Sequence, residues 1–368
     1  MIDPTQWTRA ELENHSVDMR QFIDARQSTL PNGMRIIDCY NASGLHFTVL
    51  PDRGMDIWTA HYKGIPLTWI SQGSPHPPDY GQSWLRQFNG GLLTTCGLSH
   101  VGPPEVDDVT GEQRDIHGNY TRLRTESVTS FGTWHDNQLY TYELRGKLAE
   151  ARLFGEQFAI ERTFRMALNQ PTLHISTVVR NMSDMPQPLM FLYHINLGFP
   201  LIQEGTRLAA TGTVYPRDDA ARMGLGTWVK YAHPAPGYPE QVFFHHVQAQ
   251  TNEFGSNVSY AALLQDDFGL QFTWHTDELP YLTQWKNTRQ GIYVCGIEPG
   301  NCIPNGQNAA RKNSRLSFLQ PGEQKEFICE LKVLDGKAAV GESKEKIEAL
   351  KQTGALIDNC HLKDYVNV

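Results

Sequence analysis

Three stretches of this 368-residue chain set an ionisable side chain among small or turn-forming neighbours, as a pocket needs. They are Asp115-Ile116-His117-Gly118-Asn119-Tyr120, the run Met190 to Gly198 around His194, and the run Tyr293 to Asn301 around Glu298. Each places its His or Glu at or near the end of an apolar, strand-like run. Burying a charge in such a run is costly unless the group is paired or functional. Taken alone, each has an ordinary explanation. A histidine in a strand is commonly a hydrogen-bonded structural residue, and Glu298 before Pro299 could be a charge at a strand end. Two histidines and a glutamate could also ligate a metal ion. Their spacing matches no local zinc motif, so no metal is expected.

Other chemistries lack their motifs. GxxxxGK[ST] is absent, and Gly224-Leu225-Gly226 lacks the third glycine and the strand–helix setting of a dinucleotide site. HExxH and GxSxG are absent. Gly97-Leu98-Ser99-His100 approaches a nucleophile elbow, but Val101 stands where the closing glycine belongs. Adjacent strand residues point to opposite faces, so His245 and His246 cannot easily share one ion. No cofactor is expected.

The elements that must position these residues read as strands. Phe158, Ile160, Phe164 and Met166 alternate with polar residues. After the turn Asn169-Gln170-Pro171, Leu173, Ile175, Thr177 and Val179 alternate again, which predicts a hairpin. Leu316 and Phe318, the turn Gln320 to Glu323, and Phe327 to Val333 predict a second. One surface helix is expected over Ser343 to Thr353, stopped by Gly354. Gly73 to Gln82 and His233 to Pro239 read as loops. With 31 glycines, 21 prolines and 38 aromatic residues, the chain suits a turn-rich β fold with a sizeable core. The expected architecture is all-β, a large antiparallel β-sandwich with a short C-terminal helix. It is expected as one domain over residues 1–368, with an N-terminal extension of about 1–29 and a C-terminal helical segment of about 337–368.

Charge and targeting signals narrow the partners. The balance of 32 basic and 40 acidic residues argues against a nucleic-acid binder. No apolar run reaches the roughly 18 residues of a membrane span, and the start carries no apolar signal core. A cytoplasmic protein is expected, with Cys39, Cys96, Cys295, Cys302, Cys329 and Cys360 as free thiols. The Asn-x-Ser/Thr triplets at Asn41, Asn119, Asn181 and Asn257 then read as chance matches. A homo-oligomer is left open.

Five features in order resemble the galactose mutarotase, or aldose 1-epimerase, superfamily. They are His117-Gly118 after a Gly-rich strand, Asn181-Met182-Ser183-Asp184, His194 just before Asn196-Leu197, Gly296-Ile297-Glu298-Pro299, and Leu319-Gln320-Pro321-Gly322-Glu323. The resemblance covers roughly residues 30 to 335. It is closest to a bacterial branch of aldose 1-epimerase-like proteins marked by Pro51 to Ile57 and Gly90 to Leu98. It implies a galactose mutarotase-like supersandwich and a cofactor-independent epimerase acting on a small-molecule monosaccharide. Glu298 matches the general base at the anomeric hydroxyl, and His194 the general acid at the ring oxygen. His117 matches the second histidine, which hydrogen-bonds the substrate near that oxygen. Glu240 sits where galactose mutarotases carry an aspartate for sugar hydroxyls. The family's substrate-binding arginine is either Arg86 or Arg53; Arg53 could equally pair with Asp52 or Asp56. Trp285 and Trp274 could stack on a sugar face, and Trp285, closer to Glu298 in sequence, is preferred. A Glu and a His on opposite sides of the pyranose would supply the proton transfers.

Two other readings stay open. A carbohydrate-binding or sensor protein on the same fold would bind sugar without speeding anomer exchange. A sugar-phosphate 1-epimerase would need a basic cluster, for which Arg122, Arg124, Arg311, Lys312 and Arg315 are the candidates.

Overall fold

The computed structural model describes residues 3–73, 75–135 and 139–350. Among them the chain forms a twelve-stranded sheet, a nine-stranded sheet, a two-stranded ribbon and a C-terminal helix. The path of the larger sheet runs through Asp24–Thr29, Arg35–Tyr40, Leu45–Leu50, Asp56–Tyr62, Leu93–Leu98, Gln187–Leu197, Ile292–Gly300, Tyr281–Arg289, Gln241–His246 and Thr213–Pro216. The centre of the second sheet is Phe268–His275, Gln324–Asp335, Thr172–Asn181 and Gln157–Ala167.

Period-two alternation decides which face each side chain takes. In Gln187–Leu197, the residues Phe191, Tyr193, Ile195 and Leu197 pack with Phe164, Ile175, Phe327 and Leu331 of the second sheet. This is the core of a sandwich. His194 and Asn196 take the opposite face, where Trp84, Cys96, Met190, Leu192 and Cys302 form a smaller apolar cluster. A strand covered on both faces reads as a near-continuous apolar run, which is why His194 stands out in it.

The first expected hairpin is present, with Phe158, Ile160, Phe164 and Met166 facing the core. Arg162 shares their inward phase and is fully buried. Its guanidinium donates to Thr95 Oγ1 and the Tyr120 hydroxyl, both at 2.9 Å, and lies 3.7 Å from Asp56. One cation thus ties the second sheet to the larger one across the core.

The second expected hairpin is corrected. Ser317–Leu319 pairs with Gln187–Leu197 in the larger sheet, while Gln324–Asp335 lies in the second sheet beside Thr172–Asn181. The turn at Gln320 to Glu323 therefore carries the chain between sheets. Alternation reports a strand's two faces and not its neighbour.

The terminal segments also differ from expectation. Asp24–Thr29, within the supposed extension, is an edge strand paired with Arg35–Tyr40. The helix spans Lys337–Leu350; it starts where the helical segment was expected, at about 337, and ahead of the Ser343 read from apolar spacing, because Gly336 turns the chain out of the strand at φ +94°. Val340 and Ile347 seat it on Val258, Tyr260, Ala262 and Leu264 of the second sheet. Thr353, Gly354 and Cys360 lie outside the described residues. The other five cysteines are free and buried. Among the described residues no helix is long and apolar enough to cross a membrane.

Candidate active site

His194 and Glu298 meet across neighbouring strands on the face away from the core. The register pairs Leu192 with Gly300 and Ile195 with Ile297, which sets His194 opposite Glu298. Thr94 flanks His194 on the next strand, and Thr283 flanks Glu298 on the other side. His194 Nε2 lies 3.2 Å from Glu298 Oε1. The two side chains therefore stand side by side, with no room for a sugar ring between them. Same-face partners in an antiparallel pair are held at such close range by the sheet itself. Gly296 makes room for the carboxylate: a Cβ there would stand 2.5 Å from Glu298 Oε1.

His117 joins them from a turn in which it adopts φ +58°. Gly118 follows at φ +75° and presses on Gly97, where a Cβ would stand 2.4 Å from the Gly97 carbonyl oxygen. The His117 ring centre lies 6.1 Å from that of His194. Glu298 Oε1, His194 Nδ1 and His117 Nδ1 are buried without an aligned hydrogen-bond partner. Glu298 Oε1 still has the His194 ring beside it and His194 has Asn196, so His117 Nδ1 is the atom left without a neighbouring partner.

Burial governs the charges here. It pushes Glu298 up to about 8, with Glu240 adding to the rise and Arg217 opposing it. It pushes His194 down to about 4. His117 falls to about 3, again chiefly through burial, with the nearby His194 and His100 contributing. A low-dielectric pocket disfavours the charged form of each group. Burial thus favours the protonated, neutral carboxyl of Glu298 and the neutral ring of His194.

These residues line a half-open cavity of about 820 Å³. Its walls are aromatic. Phe88 lies 5.8 Å from His194 and Trp285 5.5 Å, and Trp69 meets Trp285 edge-on at 5.8 Å. Glu240 lines it too, accepting from Trp285 Nε1 at 3.0 Å and pairing with Arg217 at 2.9 Å. Arg86 reaches the rim from the short helix Trp84–Gln87, exposed and without an ion pair to a described residue. Asp115 fixes that helix to the His117 turn by accepting from the Trp84 amide at 2.7 Å.

Arg53 is corrected as a substrate contact. It is 1% exposed, does not line the cavity, and donates to the Gln87 carbonyl at 2.8 Å. It braces the helix that carries Arg86. Asp52 pairs with Arg35 instead. Trp274 is a core residue whose indole donates to the Leu279 carbonyl. The candidate phosphate cluster is not at the site. Arg122 pairs with Asp115, Arg311 pairs with Asp107, and none of the five basic residues lines the cavity. Sequence reasoning missed Arg217, Trp69 and Phe88, which come from loops that no local spacing links to Glu298. His245 is buried against Gln284, with His246 partly exposed. Among the described residues no group of three or more His, Cys, Asp or Glu is placed to hold a metal ion.

The fold has solved relatives. A Klebsiella pneumoniae protein named as a provisional aldose 1-epimerase superposes with a TM-score of 0.84 and 26% identity, over 96% of this chain and 94% of that one. A galactose mutarotase-like protein from Clostridium acetobutylicum gives 0.58 and 15%, over 86% and 99%. A galactose 1-epimerase from Lactobacillus acidophilus gives 0.53 and 13%, over 85% and 99%. No curated protein matches this sequence. A family model described as "Domain of unknown function (DUF4432)" matches residues 5–333. The chain has the galactose mutarotase-like β-sandwich, and it belongs to the DUF4432 family.

Proposed function

We propose that the protein is an aldose 1-epimerase that interconverts the α and β anomers of a free sugar. The observation that carries this reading is the contact between His194 Nε2 and Glu298 Oε1 at the floor of an aromatic cavity. O1 and the ring oxygen are both bonded to C1, so neighbouring groups can serve both. The proton held by Glu298 first passes to His194, giving a carboxylate beside an imidazolium. The sugar's O1–H then gives its proton to Glu298 while His194 protonates the ring oxygen. The C1–O5 bond breaks, its electrons stay on O5, and an aldehyde forms. Rotation about C1–C2 and the reverse steps close the other anomer. Ring opening leaves the proton on Glu298, the neutral state that burial favours. No step needs a group beyond these side chains.

His117 would hold the ring-oxygen side of the sugar. Glu240 and Arg86 would bind hydroxyls, and Trp285 would take an apolar sugar face. The free, buried thiols suit a reducing cytoplasm. NMR exchange or polarimetry over a panel of aldoses tests the reading. Glu298→Gln and His194→Asn should each slow anomer exchange about 10²–10⁴-fold, the usual worth of one positioned proton transfer. Wild type that accelerates exchange of no aldose, or variants with full activity, would overturn it.

A further inference from the structure

Each of the two large sheets ends in two edge strands, and three of these four are guarded. Asp24–Thr29 carries the ion pair of Asp24 and Arg26. Thr213–Pro216 has four residues and ends in proline. Arg207–Ala210 is as short, begins with an arginine and is bridged by the segment at Lys230. Charge, proline, shortness and cover are the usual defences of a sheet edge against a further strand. The fourth edge, Ser127–Trp134, has none of them. It runs for eight residues, Ser-Val-Thr-Ser-Phe-Gly-Thr-Trp, without a charge or a proline. Among the described residues its one strand partner is Tyr140–Ala151.

The register decides which backbone groups of this strand are left over. The His135 amide donates to the Leu139 carbonyl at 2.9 Å, so in this antiparallel pair the odd-numbered residues bond inward. The amides and carbonyls of Val128, Ser130, Gly132 and Trp134 then point out of the sheet edge. A second copy of the strand, antiparallel and related by a two-fold axis at Phe131, satisfies every one of them. Val128 meets Trp134 and Ser130 meets Gly132. Phe131 faces its own copy as a non-hydrogen-bonded pair, with Cα atoms about 4.5 Å apart. It stands on the solvent side of the sheet, 44% exposed, with the Arg145 guanidinium 5.1 Å from its ring centre. The two rings pack against each other across the axis. Charge does not oppose this. Arg145 is paired with Glu143, and its two copies lie three strand spacings apart, about 14 Å against a screening length of about 8 Å.

We infer that Ser127–Trp134 is the interface of a two-fold dimer, in which the nine-stranded sheets of two copies join into one. A paired length of about 27 Å is short for an obligate interface, so the dimer is reversible. A two-fold axis uses each edge once, so growth stops at two copies. Glu298 and His194 belong to strands of the other sheet, so the inference is independent of the epimerase reading.

Sedimentation velocity on the full chain tests this. Wild type should pass from monomer to dimer between about 1 and about 100 µM. Phe131→Lys and Phe131→Glu each set like charges against each other at the axis, and each should stay monomeric over that range. An equimolar mixture of the two should recover the dimer, because opposite charges then meet. Ser130→Pro removes an outward amide and no bond to Tyr140–Ala151, and it should weaken the dimer about tenfold or more. Thermal midpoints close to that of wild type establish that the variants fold. A wild type still monomeric at about 100 µM, as when another segment or a different partner covers this edge, would overturn the proposal. So would a dimer that both charge variants leave intact, a mixture of folded variants that stays monomeric, or a wild type that grows into longer polymers.

Discussion

His194 and Glu298 are close enough to titrate as a pair, so their apparent pKa values belong to both. The proposed mechanism needs one proton on the pair. Below the lower value both groups are protonated and the base is blocked; above the upper value both are bare and the acid is missing. With His194 held down to about 4 and Glu298 up to about 8, kcat/KM should be bell-shaped, bounded near those values. A pH–rate series checks this, and Glu298→Gln should remove the bell from its residual activity. A flat wild-type profile between pH 4 and 9 would contradict the shared-proton account. His117, His194, Glu298, Glu240, Arg86 and Trp285 were all legible in sequence, and the cavity gathers all six. Arg53 was misjudged because a turn arginine looks the same whether it faces a pocket or a backbone carbonyl. Arg217 carried no local signal; only the return of its loop against Val242 brings it to Glu240.

At the scale of elements, strand parity does most of the placing. Glu298 faces the cavity and Gly296 shares its side of the sheet beneath Trp285, while Cys295 and Ile297 face the core. A methyl at Gly296 would meet the carboxylate at 2.5 Å and Trp285 Cβ at 3.0 Å. Gly296→Ala should therefore displace Glu298 and lower kcat at least tenfold. Its thermal midpoint should stay within a few degrees of wild type, because the colliding carboxylate is the end of a flexible side chain. Unchanged kcat would show that the carboxylate's position does not limit the reaction. Parity was readable in the alternating runs around Phe158 and Leu173. The partner of each strand was not, as Ser317–Leu319 shows by joining the larger sheet while Gln324–Asp335 joins the second. Which strand lies alongside depends on packing over the whole core, and no local window contains it.

The whole molecule stores several buried ionisable groups, and their pH dependences oppose each other. Glu150 is raised to about 7, Asp56 to about 6 and Glu298 to about 8, all mainly by burial. A raised carboxyl gives stability that is full below its ordinary value and lost as pH rises through the folded value. His117, His194 and His245 are lowered to between about 3 and about 4. Their contribution is full above the ordinary histidine range and lost as pH falls through the folded values. Stability should thus peak in mildly acidic solution, near pH 5–6.5, and decline toward pH 8 by about 1.4 kcal/mol per unit for each proton involved. Denaturant midpoints from pH 4 to pH 9 check this. Glu150→Gln should flatten the decline between pH 6.5 and 7.5, and a midpoint rising across that interval would contradict it; from about pH 8 upward the buried Lys286, lowered to about 8, opposes the decline.

The pairing of Gln187–Leu197 with Ile292–Gly300 also has a consequence for how the chain is made. Roughly 100 residues must be synthesised after Leu197 before the strand bearing Glu298 exists, an interval of about 5–20 s at 5–20 residues per second. Throughout it, an apolar central strand has an open edge, the feature most prone to mispairing with another chain. That edge stays open to mispairing for the whole interval, while the segment bearing His194 waits for its partner. An early stop before Ile292 would leave the Gln187–Leu197 edge open for good.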